Sequence, residues 1–394
     1  MKIAGVVCEY NPFHNGHAHH LRQARERSRA DYLVCVMSGC ITQRGTFARH
    51  DPLFRARTAL QCGADLVIGL PARFSVAPAG EFAGGALSLI RDLGVVTHLS
   101  FGCEEEALPL LFPAARLLSR ETPAFREALR RQLGLGRSYP HSRAAALEEA
   151  GLPGAGELLG LPNASLACEY LIHLPEGITP VPVLREGAGH GQEPSGGFCS
   201  AGALRTRLEA GDTGSLPQFV PDAPALLEQE RTGRVHEEEA LTQTLLYLLR
   251  TTPEEDLEHI FGMEEGLCHR FARAAREAVS REALLGAVKC RRYTHTRLSR
   301  AAACLLLGIT REFWQATPSP TFARILAFRR EASPLISRIQ ESAAIPVGTL
   351  TRHFSREDPL FALDVRARDL WALGCSCPSL RTGGSALTSS PVIL

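Results

Sequence analysis

The stretch that decides the fold is Ile3-Ala4-Gly5-Val6-Val7-Cys8, which runs straight into Glu9-Tyr10-Asn11-Pro12-Phe13-His14-Asn15-Gly16-His17-Ala18-His19-His20. The first six residues are apolar or small with no alternation. They read as a strand buried on both faces, the kind found in parallel sheets covered on both sides. Pro12 and Asn15-Gly16 then make a turn. A polar helix is expected over 17–29, with Leu21 and Ala24 on one face. The same alternation continues: strand-like runs at 31–37, 65–70 and 95–101 are separated by helix-like runs at 54–62 and 79–93. Apolar strands separated by helices predict an α/β fold with a parallel sheet. Ligands in such sheets bind at the carboxyl ends of the strands.

His14 and His17 are three residues apart across the expected helix start, so both rings can face one point. That point lies over a helix N-terminus, whose N–H groups and dipole attract anions. Gly16 removes a side chain where a phosphate would approach the backbone. Two imidazoles and these amides suit triphosphate oxygens, and suit the charge that builds when an α-phosphate is attacked. The competing reading is that the two rings only cap or pack locally. Zinc is disfavoured, because no further ligand sits at metalloprotease spacing and the twelve cysteines contain no Cys-x-x-Cys pair. His19 and His20 are expected on or near the solvent face.

At 394 residues the chain exceeds what one core usually organises. The reading is a sheet-bearing unit over 1–225, a mostly helical unit over 230–377 and a mobile tail over 378–394. Within the first, 105–160 looks helical, 178–184 is a further strand, 187–197 is a Gly-rich loop and 200–210 is a helix. Residues 211–225 hold Gly, Pro and Asp and read as the linker. Formal net charge is +1, so a nucleic-acid surface must be local. Such a locality exists: between Arg270 and Arg300 the only acids are Glu277 and Glu282, against Arg270, Arg273, Arg276, Arg281, Lys289, Arg291, Arg292, Arg297 and Arg300. Phosphate backbones need such a cluster, and Tyr293 or His295 could stack on an unpaired base. The alternative is a solvated helix face. The chain opens on a strand-like run rather than a leader, and no apolar stretch approaches the roughly 20 residues of a membrane span. Scattered cysteines and the absence of a leader point to a cytoplasmic protein with no membrane partner.

His14-Asn15-Gly16-His17 resembles the signature of the nucleotidyltransferase superfamily, with its Rossmann-like (HUP-type) sheet. A longer resemblance runs through both halves. The stretch from Gly5 to His17, Met37-Ser38-Gly39 with Gln43-Arg44-Gly45, and Gly63-Ala64-Asp65-Leu66-Val67-Ile68 resemble the bacterial tRNA(Met) cytidine acetate ligase family. So do Phe101-Gly102-Cys103-Glu104, Leu184-Arg185-Glu186-Gly187-Ala188-Gly189 and Arg291-Arg292-Tyr293-Thr294-His295-Thr296-Arg297. The resemblance implies an ATP-dependent ligase that activates acetate as acetyladenylate and acetylates N4 of the wobble cytidine of elongator tRNA(Met). It implies His14 and His17 as catalytic residues. It implies ATP contacts along Val7, Cys8, Glu9, Tyr10, Asn11, Pro12, Phe13, His14, Asn15, Gly16, His17, Ala18, His19 and His20, then at Gly102, Asn163, Arg185 and Glu186. Ser200-Ala201-Gly202-Ala203-Leu204-Arg205 resembles the second superfamily signature. There Ser200 would cap a helix facing the phosphates, and Arg205 would hold phosphate or else pair with Glu209. Mg²⁺ would accompany ATP, with Asp51 or Glu104 helping to hold it. The RNA contacts would be Arg270, Arg273, Lys289, Arg291, Arg292, Tyr293 and Arg297. Three positions depart from the family pattern: Pro52 stands for Lys, His190-Gly191-Gln192 for Tyr-His-Asp, and Gly202 for Thr. Two other readings stay open, a small-molecule adenylyltransferase and an RNA-binding relative that has lost turnover.

Overall fold

The computed structural model describes residues 1–104, 108–184 and 197–394. Among them one sheet runs in the order β5 (Thr179–Leu184), β4 (His98–Cys103), β1 (Ile3–Cys8), β2 (Tyr32–Ser38), β3 (Leu66–Leu70), β6 (Ala323–Phe328) and β7 (Val347–Gly348). A short β8 (Val392–Ile393) also pairs with β6. Strands β1 to β5 are parallel, with Ile3 opposite Tyr32 and Ala4 opposite His98. From β1 the chain builds towards β2 and β3 on one side, and later towards β4 and β5 on the other. The strand order therefore reverses between β1 and β4, where a crevice opens at the carboxyl ends of open α/β sheets.

Both faces of β1 are covered, as its unbroken apolar run requires. Ala4 and Val6 pack with Leu21 and Ala24 of α1 (Asn15–Ser28) and Ala56, Ala59 and Leu60 of α2 (Pro52–Gln61). Ile3 belongs to the opposite face, with Phe82, Ala86 and Ile90 of the helix Ala79–Asp92. The expected alternation of strands and helices over the first hundred residues is observed.

The second half is mostly helical, with helices Leu267–Ala275, Arg281–Val288, His295–Leu307 and Pro359–Leu373. It then returns to the sheet, where β6 lies antiparallel to β3, with Leu66 opposite Phe328. A run of six residues such as Ala323-Arg324-Ile325-Leu326-Ala327-Phe328 has no period that separates strand from helix, and only the exposed flank of β3 decides it. The tail is also held: Val392 and Ile393 pair with Ala327 and Phe328, and Arg330 N donates to Leu394 O at 2.8 Å.

Residues 211–225 are not an open linker. Leu216, Phe219, Val220 and Ala223 are buried with Leu204, Leu208 and Leu226 in a separate small core. Burying a side chain like Leu216 contributes about 1.5–3 kcal/mol, enough to dock this segment beside α1. Among the described residues no helix is long and apolar enough to cross a membrane.

Candidate active site

A cleft of about 320 Å³ opens at the reversal point, at the carboxyl ends of β1, β4 and β5. Its rim begins with α1. His14 is the N-cap of that helix: its Nδ1 accepts from Gly16 N at 3.1 Å. His14 N in turn donates to His17 Nδ1 at 3.2 Å. The two imidazoles stack with centroids 3.6 Å apart and planes inclined by 23°. Tyr10 and Phe13 back the His17 ring at 4.9 and 5.5 Å. Because each Nδ1 accepts a backbone N–H, the neutral form of each ring carries its proton on Nε2, as a donor. These local hydrogen bonds orient both rings. Gly16 is needed for this geometry, because a Cβ there would lie 2.9 Å from His14 Cε1.

Not every residue of the stretch faces the cleft. Val7, Cys8, Glu9, Tyr10, Asn11, His14, Gly16, His17, His19 and His20 line it. Phe13 is 3% exposed and packs with Tyr10, and Pro12 and Ala18 also lie outside the lining. Asn15 points away and ties segments together: its N donates to Phe219 O and its Nδ2 to Gln218 O and Gly197 O, at 2.8, 2.9 and 2.9 Å. This is how the docked 211–225 segment positions the following wall. His19 and His20 are corrected from the solvent face. His19 is 8% exposed, and His20 Nε2 meets Ser100 Oγ at 3.0 Å.

The helix Ala201–Glu209 forms that wall. Ser200 caps it, accepting from Ala203 N at 3.2 Å. Ser200, Gly202 and Arg205 line the cleft. Arg205 Nη1 donates to Asn11 O at 2.5 Å, and no Arg205–Glu209 ion pair occurs among the described residues. Burial lowers the Arg205 pKa, and Arg44 nearby lowers it further. A Cβ at Gly202 would come no closer than 3.9 Å to Arg205 Nη2 or Ser200 Oγ, so the cleft has room for a larger residue there. Pro52 is the first residue of α2 and does not line the cleft. Across the cleft, Gly102 and Asn163 are in the lining, and Asn163 Nδ2 donates to Glu104 Oε1 at 2.7 Å. Arg185, Glu186 and the departure at His190-Gly191-Gln192 lie outside the described residues.

Two further walls escaped the sequence reading. Phe82, Phe101, Leu166 and Tyr170 give an apolar side. The loop residues Thr42, Gln43, Arg44 and Thr46 line another side. Gln43 N donates to Glu9 Oε1 at 2.7 Å. On its far side the loop is clamped to the helical half: Gly45 O accepts from Ser299 Oγ at 3.0 Å and Arg281 Nη2 at 3.1 Å. Gly45 has φ of +75°, and a Cβ there would lie 2.5 Å from Arg300 N. The signal was available in principle: a polar, Gly-containing loop follows the strand beside β1, at the edge where ligands bind.

Among the described residues no group of three or more His, Cys, Asp or Glu side chains is placed to hold a metal. Asp51 caps α2 through Leu53 N at 2.7 Å and pairs with Arg368, outside the cleft.

The basic stretch divides. Arg273, Lys289 and Arg291 are exposed, as is Arg276, and none of them is in an ion pair among the described residues. Arg270 is spent locally, donating to Val288 O at 3.0 Å. Arg292 and Arg297 pair with Glu265 at 2.9 and 3.3 Å. Tyr293 is 4% exposed, with its hydroxyl donating to Glu265 O at 3.1 Å and two guanidinium groups over its ring. Stacking on a base is therefore corrected for Tyr293, whose ring is part of the core. His295 remains exposed.

Known proteins match the whole of this arrangement. A family model described as HIGH Nucleotidyl Transferase matches residues 1–382. The tRNA(Met) cytidine acetate ligase of Acetivibrio thermocellus is 32% identical over 416 residues, covering 100% of both chains. That of Thermoanaerobacter sp. strain X514 is 33% identical over 385 residues, covering 95% of each. The crystal structure of Thermotoga maritima TmcAL bound with alpha-thio ATP superposes with a TM-score of 0.92 at 31% identity, covering 100% of both chains. Full-length coverage at this identity, with the paired imidazoles at the switch point of the sheet, means that the chain belongs to the tRNA(Met) cytidine acetate ligase family of HIGH nucleotidyl transferases.

Proposed function

We propose that this protein is an ATP-dependent ligase that activates acetate as acetyladenylate and transfers the acetyl group to N4 of the wobble cytidine of elongator tRNA(Met). The observation that carries the reading is the His14–His17 pair, with both Nε2–H donors set by local hydrogen bonds in a cleft of nucleotide size. Pockets for small molecules occupy about 300–1,000 Å³, and this cleft lies within that range. The Thermotoga relative, of the same fold over its full length, was solved with alpha-thio ATP.

In the first half-reaction an acetate oxygen attacks the α-phosphorus and pyrophosphate leaves. The carboxylate is already ionised, so no base is needed. His14 and His17 stabilise charge on the phosphate oxygens, and Arg205, with Arg185 by resemblance, neutralises the triphosphate. The apolar side formed by Phe101, Leu166 and Tyr170 suits a base or an acyl methyl. Mg²⁺ would enter with the triphosphate, which supplies oxygen ligands. In the second half-reaction the cytidine amine attacks the acetyl carbonyl and AMP leaves. Exposed Arg273, Arg276, Lys289, Arg291 and His295 are among the groups available to tRNA phosphates and bases.

The test is pyrophosphate release from ATP with acetate, with and without elongator tRNA(Met), together with nucleoside analysis of the tRNA. Acetate-dependent release and N4-acetylcytidine are expected. Release that needs a phosphorylated small molecule instead would favour an adenylyltransferase. Tight tRNA binding without release would favour a relative that has lost turnover.

A further inference from the structure

Acetyl transfer releases a proton from an exocyclic amine, and a group in the cleft must take it. The titratable side chains around the cleft can be sorted by what they already do. His14 and His17 accept at Nδ1 and so present donors. His19 Nδ1 meets Arg22 Nη2 at 3.1 Å, which uses that lone pair in the same way, and His20 engages Ser100 Oγ through Nε2 at 3.0 Å. Burial holds the hydroxyls of Tyr10 and Tyr170 and the Cys8 thiol well above their ordinary pKa values, so each stays protonated. Among the described residues that line the cleft, one carboxylate is left, Glu9.

We propose that Glu9 is the general base of acetyl transfer: it accepts a hydrogen bond from the cytidine N4 amino group and takes its proton as N4 attacks the acetyl carbonyl. The N4–carbon bond forms, the bond from the carbonyl carbon to the phosphate oxygen breaks, and AMP leaves with that electron pair. The proton passes to Glu9 and then to solvent. This assignment rests on the ligase reading above.

The position fits the task. Glu9 follows the last residue of β1 and lines the same cleft as the His14–His17 pair that would sit on the α-phosphate. Gln43 N holds Oε1 at 2.7 Å, which fixes the plane of the carboxylate. A carboxylate accepts from the amino group of cytosine, whereas uracil offers an oxygen there. The same contact therefore selects cytidine. Burial pushes the Glu9 carboxyl above its ordinary value, opposed by the Gln43 amide and by Arg205, Arg44 and Arg55. Those guanidinium groups face it from the helix Ala201–Glu209, the Thr42–Thr46 loop and α2, with Tyr170 on the apolar side. A carboxyl raised towards neutrality is a better base than an ordinary one.

The experiment compares Glu9→Gln with the unaltered protein in two assays. One is acetate-dependent ATP–pyrophosphate exchange without tRNA. The other is single-turnover formation of N4-acetylcytidine in elongator tRNA(Met) across a pH series. General-base catalysis is typically worth about 10²–10⁴-fold, so the ratio of transfer to exchange should fall by about 10²-fold or more. The rise of the transfer rate with pH in the unaltered protein should vanish in Glu9→Gln. Glu9→Asp keeps a carboxylate and should retain the pH-dependent rise, with transfer between the other two. An unchanged ratio in Glu9→Gln overturns the proposal, and so does a pH-dependent rise that survives it. Absence of exchange in the unaltered protein overturns the ligase reading itself, whatever Glu9→Gln does.

Discussion

The cleft and the basic face of the helical half were both read from short runs of residues, and they turned out differently. At the cleft, neighbours in sequence converge: a turn before a helix start throws His14 and His17 onto one point, and their own backbone fixes both rings. On the basic face, neighbours in sequence scatter. Within 291–297, Arg291 faces solvent, Arg292 and Arg297 share Glu265, and Tyr293 goes into the core. A motif whose geometry comes from one turn of backbone carries its own structure. A cluster defined only by composition acquires one from whatever packs beneath it.

The comparison can be broken most sharply at the cleft. His17→Ala removes one Nε2 donor and should lower acetate-dependent pyrophosphate release by about 10²–10³-fold. A fall of less than tenfold would sink the paired-imidazole role. His14→Ala should match that loss and also cost stability, by about 0.5–2 kcal/mol, because it deletes the cap of α1.

The joint between the regions comes next. Gly45→Ala places a Cβ against the backbone of Arg300 at positive φ. It should destabilise the protein by roughly 2–4 kcal/mol, from left-handed strain plus overpacking. The urea midpoint measures it, and a shift worth under about 0.5 kcal/mol, the size expected of a bland surface change, would show that the loop clamp is dispensable.

On the basic face, Arg273→Ala combined with Arg291→Ala should leave pyrophosphate exchange unaltered while weakening tRNA binding. Its salt dependence should flatten by roughly one in log–log slope for each cation removed. A steep slope identical to that of the unaltered protein would place the RNA elsewhere. The smallest effect belongs to Tyr293→Phe. Loss of its hydrogen bond to Glu265 O should cost about 0.5–1.5 kcal/mol of stability, with tRNA affinity unchanged. Affinity that drops without a change in melting temperature would restore Tyr293 to the RNA surface.

Much of the frame was legible. The apolar runs at β1 to β4 announced a sheet covered on both faces, and the residues at the carboxyl ends of β1 and β4 line the cleft. Local periodicity failed where the deciding contact was distant. Ala323–Phe328 is a strand because β3 offers a free flank. Val392 and Ile393 are held because β6 then offers another. His19 and His20 look solvent-facing on a polar helix, but the cleft wall lies against that side. The Gly, Pro and Asp of 211–225 signal turns correctly, yet Leu216, Phe219 and Val220 between them make a core of their own.

What the sequence determined alone is the strand, the turn and the helix start that carry His14-Asn15-Gly16-His17. Those depend on backbone sterics and hydrogen bonds spanning a few residues, which no distant partner can easily overrule. Only the tertiary structure decided that Gln43 and Arg44 line the cleft, that Asn15 anchors residues 218 and 219, and that Glu9 stands among three arginines. These contacts join residues far apart in the chain, and their energies come from burial and charge pairing that exist only once the whole core has formed.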